Sequence, residues 1–363
     1  MLGLLGLFGA LMAGAFTGFK TDSSDEEPLP EDHVPDDAAA PDAGSLLDDL
    51  PSDPAAAPVT SDDPPPISDT GAAIEDGDTD DDGMPDSDDI PDQPDADTQM
   101  GGGSGDDILT GRDGQDTVTG GAGKDLLGGR DGDDLLTGDD GTDWLNGGAG
   151  ADTLLGGAGS DNLAGEAGHD LLDGDSGYDT LSGHDSDDSL TGGEGADSLV
   201  GGEGQDSLIA GEGDDIASGG LGDDLVQGGS GADALEGGDG NDTIWGQDAQ
   251  DGAVDFLNGG AGDDLLMLGA GDYGHGGDGA DEFGLLNGEM PDGAEDAPAH
   301  ITDFDGSQDR LVVYYDPAQH PDPVLSLQST EGSGAVTLML DGVPVAVVDG
   351  DPLTLESVQL RAA

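Results

Sequence analysis

The chain has 363 residues, with 84 Asp or Glu against six Lys or Arg, and a formal charge of −78 at pH 7. With 70 glycines, 3% aromatic residues and no cysteine, it can build no conventional large core, no disulfide framework and no thiolate metal site. This charge excludes nucleic acid and anionic membrane surfaces as partners and favours cations, above all hard oxygen-ligated ones such as calcium.

Residues 1–20 begin with LGLLGLFGALMAGAFTGF, Leu2 to Phe19, an uncharged run of 18 residues close to the roughly 20 that span a bilayer. The basic start of a secretory signal is missing. The segment therefore reads first as a membrane anchor, second as a signal-like segment and third as a buried helix. It is the chain's candidate for membrane contact.

Residues 21–100 are acidic and proline-rich, with no Lys or Arg, and are expected to form a disordered, self-repelling linker. Inside it, DTDDDGMPDSDD at 78–89 puts Asp78, Asp80 and Asp82 at positions one, three and five of a loop, Gly83 at six, Asp86 at nine and Asp89 at twelve. That is the spacing of a calcium loop. The last ligand is Asp in place of Glu and Pro85 disfavours a flanking helix, so the stretch resembles the helix-free loops of thrombospondin type 3 repeats more than an EF-hand. A solvated charge run explains it equally well.

From Gly102 to Trp245 a nine-residue frame repeats without insertion or deletion: GGSGDDILT, GRDGQDTVT, GGAGKDLLG, GRDGDDLLT, GDDGTDWLN and onward. Its sixth position is Asp throughout: Asp107, Asp116, Asp125, Asp134, Asp143, Asp152, Asp161, Asp170, Asp179, Asp188, Asp197, Asp206, Asp215, Asp224, Asp233 and Asp242. The eighth is Leu, Ile or Val except at Ala217, the first is Gly except at Ala210, and the fourth is Gly except at Ser186. GQDAQDGAVDFLN at 246–258 then reads as one frame with four extra residues. GGAGDDLLM restores the motif with Asp264, LGAGDYGH at 268 loses its Asp to Tyr273, and GGDGADEFG carries Asp281 as a last good copy.

The end of each frame, such as DLL at 125–127, suits a very short strand whose middle side chain turns inward, while the glycines suit a tight turn. Two frames make one coil of strand, turn, strand, turn. Coils stacked about 4.8 Å apart place Asp125 above Asp107 on one edge and Asp134 above Asp116 on the other. Two such carboxylates repel by about 3 kcal/mol at an effective dielectric of 20. A cation held at a hundredfold its dissociation constant contributes about 2.7 kcal/mol per site. Folding and cation binding are then one event.

The pattern GGxGxDxUx, with U a large aliphatic residue, resembles the calcium-binding nonapeptide of RTX, or haemolysin-type, proteins, and the likeness covers about half the chain. The resemblance implies an all-β fold, a parallel β-roll over residues 101–284, with multiple Ca2+ held along the Asp positions named above, Asp264 and Asp281 included. It also implies export by type I secretion machinery, an uncleaved signal within about Asp303 to Ala363, and an extracellular or cell-surface location. ITDFDGSQDRLVV at 301–313 is similar to the terminal region of many such proteins.

Residues 285–363 change composition: HITDF, DRLVVYY, VLSLQST, GAVTLML, VPVAVVDG and LESVQLR read as strands between Gly, Pro and Asp turns. Asp341-Gly342 predicts a type I′ hairpin. A small C-terminal β cap is expected here. No HExxH, GxSxG or Walker pattern occurs, and the expectation is a protein without catalysis. His169, His184 and His275 fall at turns, and His300 and His320 beside strands without an evident partner set. Three roles remain open: a structural or interaction role for a calcium-charged rod, an adhesin or glycan-contacting role through the C-terminal region and aromatics such as Trp144, Trp245, Tyr314 and Tyr315, and a non-catalytic accessory module of an extracellular enzyme.

Overall fold

The computed structural model describes residues 96–246, 253–286, 297–329, 334–350 and 353–362. The hydrophobic segment 1–20, nearly all of the linker and the 78–89 loop lie outside the described residues. Every regular element that is described is a β-strand, numbered in chain order from β1 (Gln99–Ser104) to β27 (Val358–Ala362). Among the described residues no helix is long and apolar enough to cross a membrane.

The strands form two sheets. Odd-numbered strands from β1, except β25, build a 13-stranded sheet that ends on β27, and the even-numbered ones from β2 (Ile108–Thr110), with β25, build a 14-stranded sheet. Neighbours within a sheet are parallel and offset by 18 residues through the regular frames: Leu127 faces Leu145, and Leu136 faces Leu154. Two frames therefore make one coil, as the spacing predicts.

Most strands are longer than the DLL motif alone. β4 (Leu126–Asp131) runs from the end of one frame into the first three positions of the next, so the first two glycines are part of the strand and the turn is confined to positions four to six. Alternation then points the eighth and first positions inward. The eighth supplies the core: Val118, Leu127, Leu136, Leu154, Leu172, Leu181, Leu190, Leu199 and Leu208 are fully buried in one continuous cluster that extends to Leu353 and Val358. Each aliphatic side chain contributes roughly 1.5–3 kcal/mol on burial.

The fourth position shows why glycine is needed at the turn. Gly132 has φ 132°, and a Cβ there would lie 2.0 Å from the carbonyl oxygen of Gly114 one coil below. Ser186, the one departure from glycine, keeps the same left-handed conformation at φ 83°, a strain of about 1–2 kcal/mol for a residue with a Cβ.

All six C-terminal strands expected from the sequence are present, but they are not set apart from the roll. β22 (Ala299–Phe304) pairs in parallel with β20 (Tyr273–Asp278), and β23 (Arg310–Tyr315) with β21 (Glu282–Leu286). Both sheets thus run through position 285 without a break, because DRL and HIT repeat the inward alternation that the frames began. The parallel order ends only where β26 (Val343–Gly350) turns back on β25 (Val336–Leu340) and β25 on β24 (Leu325–Ser329). Asp341 (φ 53°) and Gly342 (φ 87°) make the expected primed turn. At the far end of the other sheet, Arg310 and Arg361 both reach Glu282 at 3.3 Å.

Candidate metal sites along the two edges

The sixth-position aspartates line the two edges of the roll as ladders. Each backbone N–H donates to Oδ1 of the aspartate one coil further on: Asp107 to Asp125 at 2.8 Å, Asp116 to Asp134 at 2.7 Å, Asp170 to Asp188 at 2.8 Å, Asp224 to Asp242 at 2.8 Å. Each backbone carbonyl accepts from the residue after that aspartate, as Asp107 O does from Leu126 N at 2.9 Å. All the sequence-predicted positions from Asp107 to Asp242, with Asp264 and Asp281, stand in these ladders. Asp107, at the open start, is half-buried; from Asp116 on they are buried.

Three further aspartates belong to the ladders. Asp233 N donates to Asp255 Oδ1 at 2.9 Å across 22 residues, so the ladder continues in register past the four extra residues. Asp255 N donates to Asp272 Oδ1 at 3.1 Å across 17 residues. The frame at 268 has therefore not lost its aspartate to Tyr273. It is one residue short, and Asp272 fills the ladder position while Tyr273 pairs with Phe256 on the outer face. Asp281 N likewise donates to Asp309 Oδ1 at 3.1 Å, which carries the ladder into the terminal region. The D-x-U signature of Asp255-Phe256-Leu257 and Asp309-Arg310-Leu311 was available in the sequence; Asp272 is hidden because Gly274 replaces the aliphatic residue.

The second carboxylate oxygen has a different environment. Oδ2 of Asp125, Asp134, Asp143, Asp152, Asp161, Asp170, Asp179, Asp188, Asp197, Asp206, Asp215, Asp224, Asp242 and Asp264 is buried with no hydrogen-bond donor. In every frame but that of Asp215, which starts with Ala210, these oxygens point at the first glycine of their own frame. A Cβ on Gly201 would stand 2.3 Å from Asp206 Oδ2 and 2.6 Å from Gly219 O, and one on Gly237 would stand 2.3 Å from Asp242 Oδ2 and 2.6 Å from Gly259 O. A carboxylate oxygen and a carbonyl oxygen from the next coil thus converge on one spot with no proton between them. A Cβ at these glycines would crowd that spot; Ala210, the one exception, heads the frame of Asp215, whose Oδ2 is also without a donor.

The energetic consequence appears in the carboxyl groups. Burial, reinforced by neighbouring carboxylates, pushes Asp152, Asp179, Asp188, Asp215 and Asp264 up to about 7, against backbone N–H donation that lowers them. Asp161, Asp206 and Asp242 are raised to about 6, again with burial first. A buried, half-satisfied anion carries a large penalty unless a cation or proton compensates it.

The donor set is all oxygen, anionic and repeated, as a hard divalent cation requires. The RTX calcium-binding nonapeptide repeat family matches residues 101–136, 137–172, 165–199, 191–226, 227–252 and 251–273. The chain carries RTX calcium-binding repeats. These RTX repeats bind calcium ions in multiple copies, and the roll they build is a structural calcium-binding fold, not catalytic in itself. No curated protein matches the chain.

Among the described residues no three His, Asp or Glu side chains gather around one point. His320 does have a partner, Asp341, at 2.6 Å, and His275 lies 3.2 Å from Asp303. Phe256, Tyr273 and His300 stack at centroid distances of 5.1 and 4.8 Å with interplanar angles of 12°, so their flat faces are turned to one another. Trp245 is 39% exposed, while Trp144, Tyr314 and Tyr315 are half-buried.

Proposed function

We propose that this is a secreted or cell-surface calcium-binding protein whose roll folds when it meets extracellular calcium, and whose folded form serves a structural or interaction role. The observation that carries the reading is the run of buried Oδ2 atoms without donors along both edges. The sixth-position aspartates whose Oδ2 lacks a donor would hold the ions through it, with first-position carbonyl oxygens as further ligands. Calcium bound there supplies the positive charge that this interior lacks.

The rest of the chain's chemistry follows from that division. Oδ1 and the backbone of each aspartate hold the coils in register, the glycines keep the edge open, and the aliphatic residues close the interior. Cytosolic calcium is too dilute for sites of the weak extracellular class, with dissociation constants of about 10⁻⁴ to 10⁻³ M. The chain would stay unfolded for export by a type I pathway with a signal in its C-terminal region, and fold outside. Fractionating an expressing culture tests the location: the protein is expected in the supernatant or on the cell surface, and retention in the cytosol would overturn that part of the reading.

Replacing Asp170 with Ala tests the site assignment. The change removes the acceptor for Asp152 N, an orphaned donor worth roughly 1–3 kcal/mol, and the Oδ2 on that edge. Calcium titration calorimetry should show loss confined to sites shared with Asp152 and Asp188. Undiminished binding would remove Asp170 from the ligand set, and loss at every site would make the roll a single cooperative unit.

A further inference from the structure

The two ladders end differently from the way they run. At three of their four ends Oδ2 is not orphaned but accepts a backbone N–H from its own frame. Arg112 N donates to Asp116 Oδ2 at 2.5 Å, Gly269 N to Asp272 Oδ2 at 2.5 Å, and Asp305 N to Asp309 Oδ2 at 2.6 Å. Asp116 is the first buried rung of one edge and Asp309 its last. Asp272 is the last rung of the other edge, and Asp107, the first rung there, is only half-buried and reaches water.

Local sequence does not explain the contrast. GRDGQD at 111–116 and GRDGDD at 129–134 are nearly the same string. Yet Arg130 is left-handed at φ 97° and leaves Asp134 Oδ2 without a donor, whereas Arg112 lies outside the left-handed region and turns its N–H onto Asp116. Other non-glycine residues at the second position of interior frames are left-handed too: Asp139 at 71°, Glu166 at 77°, Asp175 at 68° and His184 at 79°. Each carries strain of about 1–2 kcal/mol. The left-handed form keeps a donor out of the edge, and it is kept at every interior frame whose second position is described. Below Asp116 stands Thr98, whose N–H and hydroxyl both donate to Asp116 Oδ1.

We infer that Asp116, Asp272 and Asp309 are hydrogen-bonded end caps of the ladders that take no calcium, and that calcium is confined to the rungs between them. This rests on the ladder reading proposed above. A proton on a backbone nitrogen occupies the direction from which a cation would approach, and neither oxygen of these three carboxylates is left without a donor. The caps thereby close both ends of the Asp116 ladder and the far end of the Asp107 ladder with protein groups instead of an exposed ion.

The test is the number of calcium ions bound per full-length chain at saturation, measured by equilibrium dialysis with atomic absorption, for D272N, D309N and D116N beside the interior variant D179N. D179N is expected to lose the ions it adjoins; the three cap variants are expected to retain the full complement while showing a lower unfolding temperature. Loss of calcium in the cap variants equal to that in D179N overturns the inference and leaves the ladder reading standing. Full calcium retention in D179N overturns the ladder reading itself. If D272N gives no strand signal at millimolar calcium, D116N at the opposite end decides the matter, and failure of all three to fold counts against the caps, since Asn keeps one of the two acceptors.

Discussion

Removing calcium from the purified chain with a chelator is expected to abolish its strand circular-dichroism signal, and adding calcium back should restore it cooperatively, whereas magnesium should scarcely do so. The reason is the interior of the two edges. Stacked carboxylates at coil spacing repel by about 3 kcal/mol per pair, and their Oδ2 atoms have no donors. The aliphatic core is only one side chain wide per strand and cannot offset that penalty at every coil. Magnesium demands a tight octahedron and sheds water reluctantly, which a site built from carbonyls and single carboxylate oxygens does not satisfy. A strand-rich spectrum that persists in excess chelator would end the model of calcium-driven folding.

Protons should partly replace calcium. Ladder carboxyls such as Asp152, Asp179 and Asp215 sit near 7 in the calcium-free roll because burial, then neighbouring charge, disfavours the anion; in an unfolded chain they titrate near about 3.9. A folded-state value raised above the unfolded one means that the folded form binds more protons. Its stabilisation is complete below about pH 4 and is lost as pH rises through 6 to 7. In chelator, strand signal is therefore expected to grow as pH falls from 8 to 5. With calcium present the sign of the binding effect is opposite: protonation competes for the same oxygens, so the calcium concentration needed for half-saturation should rise over that window. Ordinary carboxylates titrate too low to produce either change. A chelated chain equally unstructured at pH 8 and pH 5 would contradict the raised values.

Much of this was legible in the sequence because the frame is short and rigidly kept. The Asp column, the aliphatic column and the pairing across 18 residues follow from period alone, and so does the Asp341-Gly342 turn. The rest depended on three-dimensional bookkeeping of register. Reading aspartates at fixed spacing passed over Asp255 and Asp272, since a turn can absorb four extra residues or one missing residue without disturbing the strands on either side. The composition change at 285 marked a small C-terminal β region, and what it could not show is that β22 and β23 obey the same inward alternation and extend both sheets. Nor could residue type reveal which carboxylate oxygen meets a donor: Arg112 and Arg130 look alike on paper, yet only Arg130 is left-handed and only Arg112 turns its N–H onto its aspartate.

The alternation of successive frames between the two sheets gives the number of frames a parity. Excising 18 residues from the uniform stretch shortens the rod by one coil, about 4.8 Å, and every later strand stays in its own sheet. Excising nine would also rejoin a perfect frame, yet it would move each later strand to the opposite sheet. The Arg310, Arg361 and Glu282 cluster and the β24–β26 hairpins would then exchange sides relative to the first coil. Repeat number in such a chain sets two quantities at once: the reach of the rod changes smoothly, while the direction its terminal surface faces flips with every odd step.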